Sequence, residues 1–319
     1  MSDRRCIFCG RLIELENEAL FRLPPDHPRT NDAIYADFRK ARGSFDIRSD
    51  LPGVCGSRSP ECLKLDWENG KPVLITKTGR STDTLICPSC HSELFRDTDS
   101  ASVRSAVFFG AKDSGKTSLI LALVNNCIKS QFSPDGRYRY IFNEKLYKTE
   151  YIASEAEKAA SGGKPADLRS PAAVYRVPRA ADGGKAVCDV LHDVSFNDTI
   201  DEETVLTALP FAESAEHFVY CIPADKLAEA LAADNERADI IMRRELFMMM
   251  SACRYAETPP ELDIAVTKSD LTETPSGGFG EQIYSAFPSI RELSMYFSGT
   301  KVYEAGAGSA GQLYAGLFG

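Results

Sequence analysis

The chain has 319 residues, with 37 Lys and Arg against 46 Asp and Glu, and a formal net charge of −9 at pH 7. This negative excess argues against a protein held mainly by electrostatics on nucleic acid or on an anionic membrane. The longest apolar runs are far too short to span a bilayer, and the charged N-terminus is not followed by an apolar signal segment. We therefore expect a soluble, cytoplasmic protein that contacts no membrane.

Six of the cysteines lie in the first 90 residues, and four of these form two CxxC units, Cys6 with Cys9 and Cys87 with Cys90. In a cytosolic chain, paired CxxC units favour metal binding over disulfide bonds. We predict that these four thiolates hold one Zn²⁺ tetrahedrally, with Zn–S bonds of about 2.3 Å. Because four protein ligands leave no open coordination position, the site would be structural.

Two further cysteines, Cys55 and Cys62, leave the ligand pairing in this region open. They could pair with one of the CxxC units, or they could join His27 or His91 in a second metal site.

The composition changes near residue 100, where the polar stretch Asp97–Ser102 is suited to a linker. We expect a Cys-rich, zinc-ribbon-like module over residues 1–100 and a second domain over residues 101–319. In the second domain strand-like and helix-like segments alternate, which is typical of an α/β fold with a mainly parallel sheet. The predicted strands are Val103–Phe109, Ala172–Val177, Lys185–Asp193, Glu216–Ile222, Glu261–Thr267 and Lys301–Ala305. The predicted helices are Lys116–Lys129, Asn143–Ala160 and a long stretch over Asp225–Arg254.

The turn between the first strand and the first helix of this domain carries a phosphate-loop motif. Its glycines let the backbone curl, so that successive N–H groups and the helix N-terminus face phosphate oxygens. Lys116 is expected to reach the β- and γ-phosphates, and Thr117 to ligate Mg²⁺. The motif, which fits GxxxxGK[ST] and continues into Ser118, reads Gly110-Ala111-Lys112-Asp113-Ser114-Gly115-Lys116-Thr117.

A second Mg²⁺-facing group is expected at the end of a neighbouring strand. Asp193 stands at the carboxyl end of the predicted strand Lys185–Asp193, where a metal-facing carboxylate belongs. Asp189 shares the same strand face by period 2 but lies deeper in the sheet, so we prefer Asp193. His192 and His217, in or beside strands, are interpreted as core or edge residues.

The segment Thr267-Lys268-Ser269-Asp270 follows the strand Glu261–Thr267 and indicates which base is bound. The carboxylate of Asp270 can accept hydrogen bonds from N1 and N2 of guanine, whereas adenine offers no matching pair of donors. The aliphatic stem of Lys268 can cover the base. In the alternative interpretation, this segment is coincidental and the protein is an ATPase.

In this order, the three motifs resemble those of a GTPase of the translation-factor-related P-loop class, the Ras-like superclass. The resemblance runs from about Val103 to Ala310 and implies a Ras-like P-loop domain that binds GTP or GDP with Mg²⁺. It implies that Lys116, Thr117 and Asp193 carry catalysis. It also places the backbone N–H of Ala305, within Glu304-Ala305-Gly306, near the guanine oxygen. The segment Leu191–Ser195 is similar to the strand-end motif of bacterial GTPase families that belong to conflict or defence systems. Some of these families carry zinc-ribbon N-termini.

The sequence departs from the family pattern where the γ-phosphate is sensed. Phe196 replaces the glycine of DxxG, and Asn197 stands where many GTPases hold a water-positioning Gln. A switch-I Thr is not evident, because Thr149 lies in a predicted helix and the loop Ser161–Pro171 offers only Ser161 and Ser170. An arginine finger in cis would come from Arg169, Arg176 or Arg179. We therefore predict GTP binding with slow or partner-dependent hydrolysis. The rival is a non-hydrolysing nucleotide-binding scaffold.

The remaining expectations concern partners. The first 100 residues are nearly neutral, and their local basic cluster is Arg4, Arg5 and Arg11, so a protein partner is favoured over nucleic acid. That partner would read the nucleotide state, alone or within a multi-subunit complex. Because the chain ends soon after Ala305, we expect the last helix, at Gln312–Gly319, to be short or missing and to leave an apolar sheet face in need of cover.

Overall fold

A computed structural model describes residues 4–23, 53–68, 71–94, 102–130, 137–142, 149–166, 168, 171–179, 184–194, 210–233, 236–254, 256–271, 278–306 and 309–319. The chain divides into two compact units, one over Met1–Asp99 with Asp201–Phe211 and the other over Ser100–Ile200 with Ala212–Gly319. Among the described residues, every helix is too short or too polar to cross a membrane.

The first unit is built from short antiparallel strands around a small core. The elements are β1 (Arg4–Arg5), β2 (Leu12–Ile13), α1 (Leu15–Glu18), β3 (Leu20–Arg22), β4 (Val54–Gly56), β5 (Cys62–Glu68), β6 (Lys71–Thr76), β7 (Ser81–Thr82) and β8 (Leu85–Ile86). The strands form three sheets, with the orders β1-β2, β4-β3-β8 and β5-β6-β7. The fully buried side chains include Phe8, Ile13, Phe21 and Leu74.

The second unit is a seven-stranded sheet with helices. Its strands are β9 (Ser102–Phe109), β10 (Tyr138–Phe142), β11 (Ala172–Pro178), β12 (Val187–Asp193), β13 (His217–Pro223), β14 (Glu261–Thr267) and β15 (Thr300–Ala305). Its helices are α2 (Lys116–Ser130), α3 (Thr149–Ala160), α4 (Ala224–Ala233), α5 (Glu236–Ala252), α6 (Phe279–Ala286), α7 (Pro288–Leu293) and α8 (Ala310–Phe318). Short 3₁₀ turns lie at Pro210–Ser214, Ser269–Leu271 and Ser294–Tyr296.

The strand order is β10-β11-β12-β9-β13-β14-β15, and the five strands from β12 to β15 are mutually parallel. This confirms the prediction of an α/β fold with a mainly parallel sheet. Strands β10 and β11 are antiparallel to their neighbours, and β10 was not predicted. Its burial alternates at the sheet edge, so only Phe142 of its five residues is buried.

Strand β9 lies in the middle of the sheet, with β12 on one side and β13 on the other. The chain therefore adds strands first in one direction from β9 and later in the other. The carboxyl end of β9 is thus a topological switch point, the place where open α/β sheets form a crevice for ligands. The phosphate-loop motif begins at this end of β9, directly after Phe109.

The last helix was expected to be short or missing. The C-terminal helix α8 is present and short, and it covers the sheet. Leu313, Leu317 and Phe318 on this helix are buried in the same core as residues of α2 and of the central strands. The apolar face that the sequence analysis left open is therefore covered within the unit.

Asp189, the alternative Mg²⁺ ligand of the sequence analysis, is instead a structural residue. It is fully buried, and its carboxylate accepts hydrogen bonds from Arg104 Nε at 2.9 Å and from the Tyr314 hydroxyl at 2.6 Å. Arg176 Nε lies 3.1 Å from its second oxygen. A buried carboxylate needs such partners to offset lost hydration. Arg176 is thereby engaged with Asp189, which argues against its use as an arginine finger.

The helical stretch predicted over Asp225–Arg254 is two helices, α4 and α5. The two residues between Ala233 and Glu236 lie outside the described residues. The helix predicted over Asn143–Ala160 is described from Thr149 onward, and residues 143–148 lie outside the described residues.

Candidate functional site

The phosphate loop connects β9 to α2, and its path requires glycine at both ends. Gly110 has φ +137° and Gly115 has φ +85°, values that favour glycine. A Cβ on Gly110 would lie 2.8 Å from the backbone oxygen of Cys221 in β13, and one on Gly115 would lie 3.1 Å from the Thr267 side chain in β14. The loop therefore packs closely against the ends of two neighbouring strands.

Lys116 turns its ammonium group into this loop. Its Nζ donates to the carbonyl oxygens of Gly110 at 3.0 Å and Ala111 at 2.7 Å, and to Ser114 Oγ at 3.1 Å. The side chain is 4% exposed, so its charge lies inside the loop rather than in solvent. Three acceptors satisfy the three donors of the ammonium group. A positive charge is thus fixed where the loop curls, which suits an anionic ligand.

Thr117 and Asp193 form the predicted pair of oxygen ligands. The Thr117 hydroxyl donates to Asp193 Oδ2 at 2.5 Å. Asp193 reaches this position because β12 runs parallel to β9, with Asp193 opposite Phe108, the residue before the last of β9. A hydroxyl and a carboxylate are hard oxygen donors, which is the donor type that Mg²⁺ prefers. The pair could therefore hold Mg²⁺ beside the phosphate loop.

The predicted base-reading segment adjoins the loop on its other side. Thr267 Oγ1 donates to the carbonyl oxygen of Ser114 at 2.6 Å. Lys268 has φ +56°, an uncommon value for a residue with a side chain. A turn then presents Asp270, whose side chain is exposed at this edge. The end of β14 is thus tied directly to the phosphate loop.

Strand β15 brings the predicted guanine-oxygen segment to the same place. Ala305 pairs with Thr267 across the parallel strands. A Cβ on Gly306 would lie 3.0 Å from Ser269 Oγ and 3.3 Å from Asp270 Oδ1. The carboxylate of Asp270 and the backbone after Ala305 are therefore neighbours, as the reading of one base by both segments requires.

Two contacts of this site were not foreseen. The first is an ion pair between Lys164, four residues beyond α3, and Asp113 in the loop, with Nζ and Oδ1 3.0 Å apart. The hydrogen bond to Lys164 lowers the pKa of Asp113. The second is the contact of the loop at Gly110 with Cys221 of β13. Burial raises the pKa of the Cys221 thiol to about 12. Neither contact follows a local motif, because each joins segments that meet only in the folded sheet.

Several predicted switch residues lie outside the described residues. These are Phe196 and Asn197 after Asp193, and Arg169 and Ser170 before β11. Thr149, considered for switch I, is the first residue of α3.

In the first unit, the folded chain brings Cys6, Cys9, Cys87 and Cys90 together. Their sulfur atoms all lie within 4.8 Å of one another, and none is in a disulfide bond. The Cys6–Cys90 and Cys9–Cys87 sulfur distances are 3.7 and 3.6 Å. Tetrahedral Zn–S bonds of about 2.3 Å imply sulfur separations of about 3.8 Å. The four sulfurs therefore already have the spacing of a tetrahedral thiolate site.

The two CxxC turns have the same backbone geometry. The N–H of Gly10 donates to Cys6 O, and the N–H of His91 donates to Cys87 O, both at 2.9 Å. Gly10 and His91, each directly after the second cysteine, have φ values of +74° and +54°. Each tight turn therefore presents its two cysteine sulfurs in the same way. The hydrogen bond to Cys87 raises the pKa of Cys6, and burial acts in the same direction.

The other candidate ligands of this region are not part of the cluster. Within the described residues, Cys55 and Cys62 belong to no group that could hold a metal. The Cys55 thiol donates to Gly56 O at 3.6 Å. His91 contributes its backbone to the second CxxC turn, and His27 lies outside the described residues.

Comparisons with known proteins give distant structural likenesses. No family model matches the sequence, and no curated protein matches it. The chain is similar to the small COPII coat GTPase Sar1 from Encephalitozoon cuniculi in complex with GDP, at 12% identity, covering 66% of this chain and 74% of that one, with a TM-score of 0.33. It is also similar to a GTP-binding protein from the archaeon Sulfolobus solfataricus in complex with GDP, at 14% identity, 63% and 47% coverage, and a TM-score of 0.30.

A third likeness is to the GTPase-like domain of S. cerevisiae Ski7 bound to GTP, at 12% identity and a TM-score of 0.36, covering 65% of this chain. The chain spans 43% of that structure, and about half of the length of the archaeal protein. Likenesses this distant do not carry a function to this chain. Its own sheet order and phosphate loop fit a P-loop GTPase fold, and the function depends on its own site residues.

The close approach of Gly110 to β13 can be tested by substitution. Gly110→Ala should weaken binding of fluorescently labelled GDP by at least tenfold, because the added methyl meets a backbone oxygen that cannot move aside. Gly280→Ala in α6 is the matched control, since a Cβ there meets nothing within 4 Å. It should leave affinity unchanged and add up to about 1 kcal/mol of stability. Equal affinities in both variants would show that the loop does not constrain nucleotide binding.

Proposed function

We propose that the protein is a guanine-nucleotide-binding switch, in which the nucleotide and Mg²⁺ bind at the carboxyl edge of the parallel sheet. One observation carries the proposal: four strand ends converge on a single edge with complementary groups. Strand β9 leads into the phosphate loop and Lys116, β12 ends in Asp193, β14 leads into Asp270, and β15 ends in Ala305.

The chain's own groups account for binding. The loop between Gly110 and Gly115 would offer its backbone N–H groups, and Lys116 would exchange its carbonyl contacts for phosphate oxygens. Thr117 and Asp193 would hold Mg²⁺, which neutralises phosphate charge when bound. Binding of the nucleotide would therefore replace the Lys116–loop and Thr117–Asp193 hydrogen bonds with charge-assisted contacts.

The base specificity of the proposal depends on Asp270. Asp270→Asn should shift preference from GTP towards xanthosine triphosphate by about 100-fold, because two hydrogen bonds to a charged acceptor, worth about 1.5 kcal/mol or more each, are exchanged. Competition titrations with labelled nucleotides measure this shift. Asp225→Asn, an exposed position in α4, is the control and should bind as the wild type does. If ATP binds and neither change alters selectivity, the guanine assignment is wrong and the protein is an ATPase.

Hydrolysis by the isolated protein is expected to be slow. Phe196 and Asn197 replace the glycine and glutamine with which related switches sense the γ-phosphate and position water. We expect a single-turnover rate on the order of 10⁻⁴ s⁻¹ or below without a partner. The double substitution Phe196→Gly with Asn197→Gln should raise this rate. A much faster wild-type rate would contradict the proposal. GTP binding with no turnover in either the wild type or the double variant would identify the non-hydrolysing nucleotide-binding scaffold.

We propose further that a protein partner reads the nucleotide state and accelerates turnover. By the sequence resemblance, this partner would belong to a bacterial conflict or defence system. The net charge of −9 supports a protein over a nucleic acid as that partner.

We propose that the four-cysteine cluster holds a structural Zn²⁺. Cys87→Ser should lose one zinc equivalent by elemental analysis and unfold the first unit, because structural zinc supplies much of the folding free energy of small domains. Trp67, the single tryptophan, lies in β5 of this unit, so its fluorescence reports unfolding there. Cys62→Ser is the matched control, since Cys62 lies outside the cluster. Unchanged zinc content in Cys87→Ser would refute the site.

A further inference from the structure

A second group of ligand-type side chains lies at the opposite edge of the parallel sheet, where β13, β14 and β15 begin. His217 opens β13 and pairs with Glu261, which opens β14. Asp263 lies two residues further along β14 and pairs with Lys301 of β15. Because paired residues and residues two apart share a face, all four point to one side of the sheet.

The distances within this group are those of shared coordination. His217 Nδ1 lies 2.8 Å from Asp263 Oδ2 and 3.5 Å from Glu261 Oε2. One ligand atom from each of these three residues lies within 4.8 Å of the other two. Zinc bonds of about 2.1 Å to nitrogen and oxygen imply ligand separations of about 3.4 Å in a tetrahedron. The observed distances lie on both sides of this value, so small side-chain shifts would complete a site.

Asp263 supplies the second, independent observation. Its side chain is fully buried, and its Oδ1 has no hydrogen-bond donor in the part of the chain that the structure describes. A buried carboxylate oxygen without a donor is costly, because it has lost hydration and gained nothing in exchange. The site therefore lacks one positively charged partner at this oxygen.

The surroundings favour an ion that accepts imidazole. The ring of Phe318 at the end of α8 lies against the His217 ring, with their centroids 6.1 Å apart, and provides an apolar wall. Lys301 Nζ lies 2.8 Å from Glu261 Oε2, so an ammonium group now occupies one side of that carboxylate. A ligand set of one imidazole and two carboxylates suits zinc better than Mg²⁺, which prefers oxygen ligands and retains its waters.

We propose that His217, Glu261 and Asp263 form a second zinc site, separate from both the phosphate-loop edge and the cysteine cluster. The two carboxylates balance the charge of the ion, and Lys301 gives up its place on Glu261 Oε2. Three protein ligands leave one coordination position for water or for a group from a partner. The ion would link the starts of β13 and β14 beneath the end of α8.

The test measures zinc bound by the purified full chain in wild type and variants. His217→Gln and Asp263→Asn should each lose one zinc equivalent, whereas Lys301→Met should bind that equivalent at least tenfold more tightly because it removes the competing ammonium group. Zinc should raise the unfolding temperature of the second unit in the wild type and not in Asp263→Asn. If His217→Gln and Asp263→Asn keep the full zinc content, or if Lys301→Met binds no more tightly, the proposal is overturned.

The two zinc sites are distinguished by cobalt substitution. Cobalt at the cysteine cluster should show thiolate-to-metal charge transfer, which Cys87→Ser removes. Cobalt at His217, Glu261 and Asp263 should show weak ligand-field bands alone, which His217→Gln removes and Cys87→Ser leaves in place. Loss of both signals in Cys87→Ser alone would show that all bound metal belongs to the cysteines and would refute the second site. Absence of the charge-transfer signal in the wild type would refute the cysteine site and leave the second site standing.

Discussion

The candidate nucleotide site depends on one steric constraint, the passage of the backbone at Gly110 over the carbonyl of Cys221. Since no side chain fits at this crossing, the chain leaves β9, curls across the end of β13 and enters α2 with its first residues beside the sheet edge. Lys116 then has its charge inside the loop, and Thr117 lies within hydrogen-bond distance of Asp193. A bulkier residue at position 110 would displace all of these groups together.

The two edges of the parallel sheet favour ligands of opposite charge. At the carboxyl edge, backbone N–H groups and the charge of Lys116 favour an anion. At the amino edge, Glu261 and the buried Asp263 favour a cation, and nearby Asp189 is already neutralised by Arg104 and Arg176. Asp189 is thus matched with cations from neighbouring strands, whereas Asp263 Oδ1 has no hydrogen-bond donor among the described residues. This difference distinguishes the His217 group from an ordinary ion-pair network.

The convergence of the candidate site residues at one sheet edge was largely predictable, because these residues belong to local motifs attached to strand ends. The loop from Gly110 to Thr117, Asp193 and Thr267-Lys268-Ser269-Asp270 each follow an apolar strand, and parallel strands bring their ends to one edge. The strand β10 was not predictable in the same way, since its alternation is short and its place at the sheet edge depends on pairing with β11.

By itself, the sequence determined the mainly parallel α/β class and the position of the phosphate-loop motif, because hydrophobic periodicity and motif spacing are properties of short segments. It also singled out two CxxC units. The tertiary structure decided that these two units meet and that Cys55 and Cys62 lie outside their cluster, because it joins turns some 80 residues apart. Asp193 was preferred over Asp189 from its place at the strand end, but the contacts of Asp189 with Arg104 and Tyr314 were decided by the tertiary structure. Contacts between distant segments depend on strand order and register, and neither is written in any local stretch of the chain.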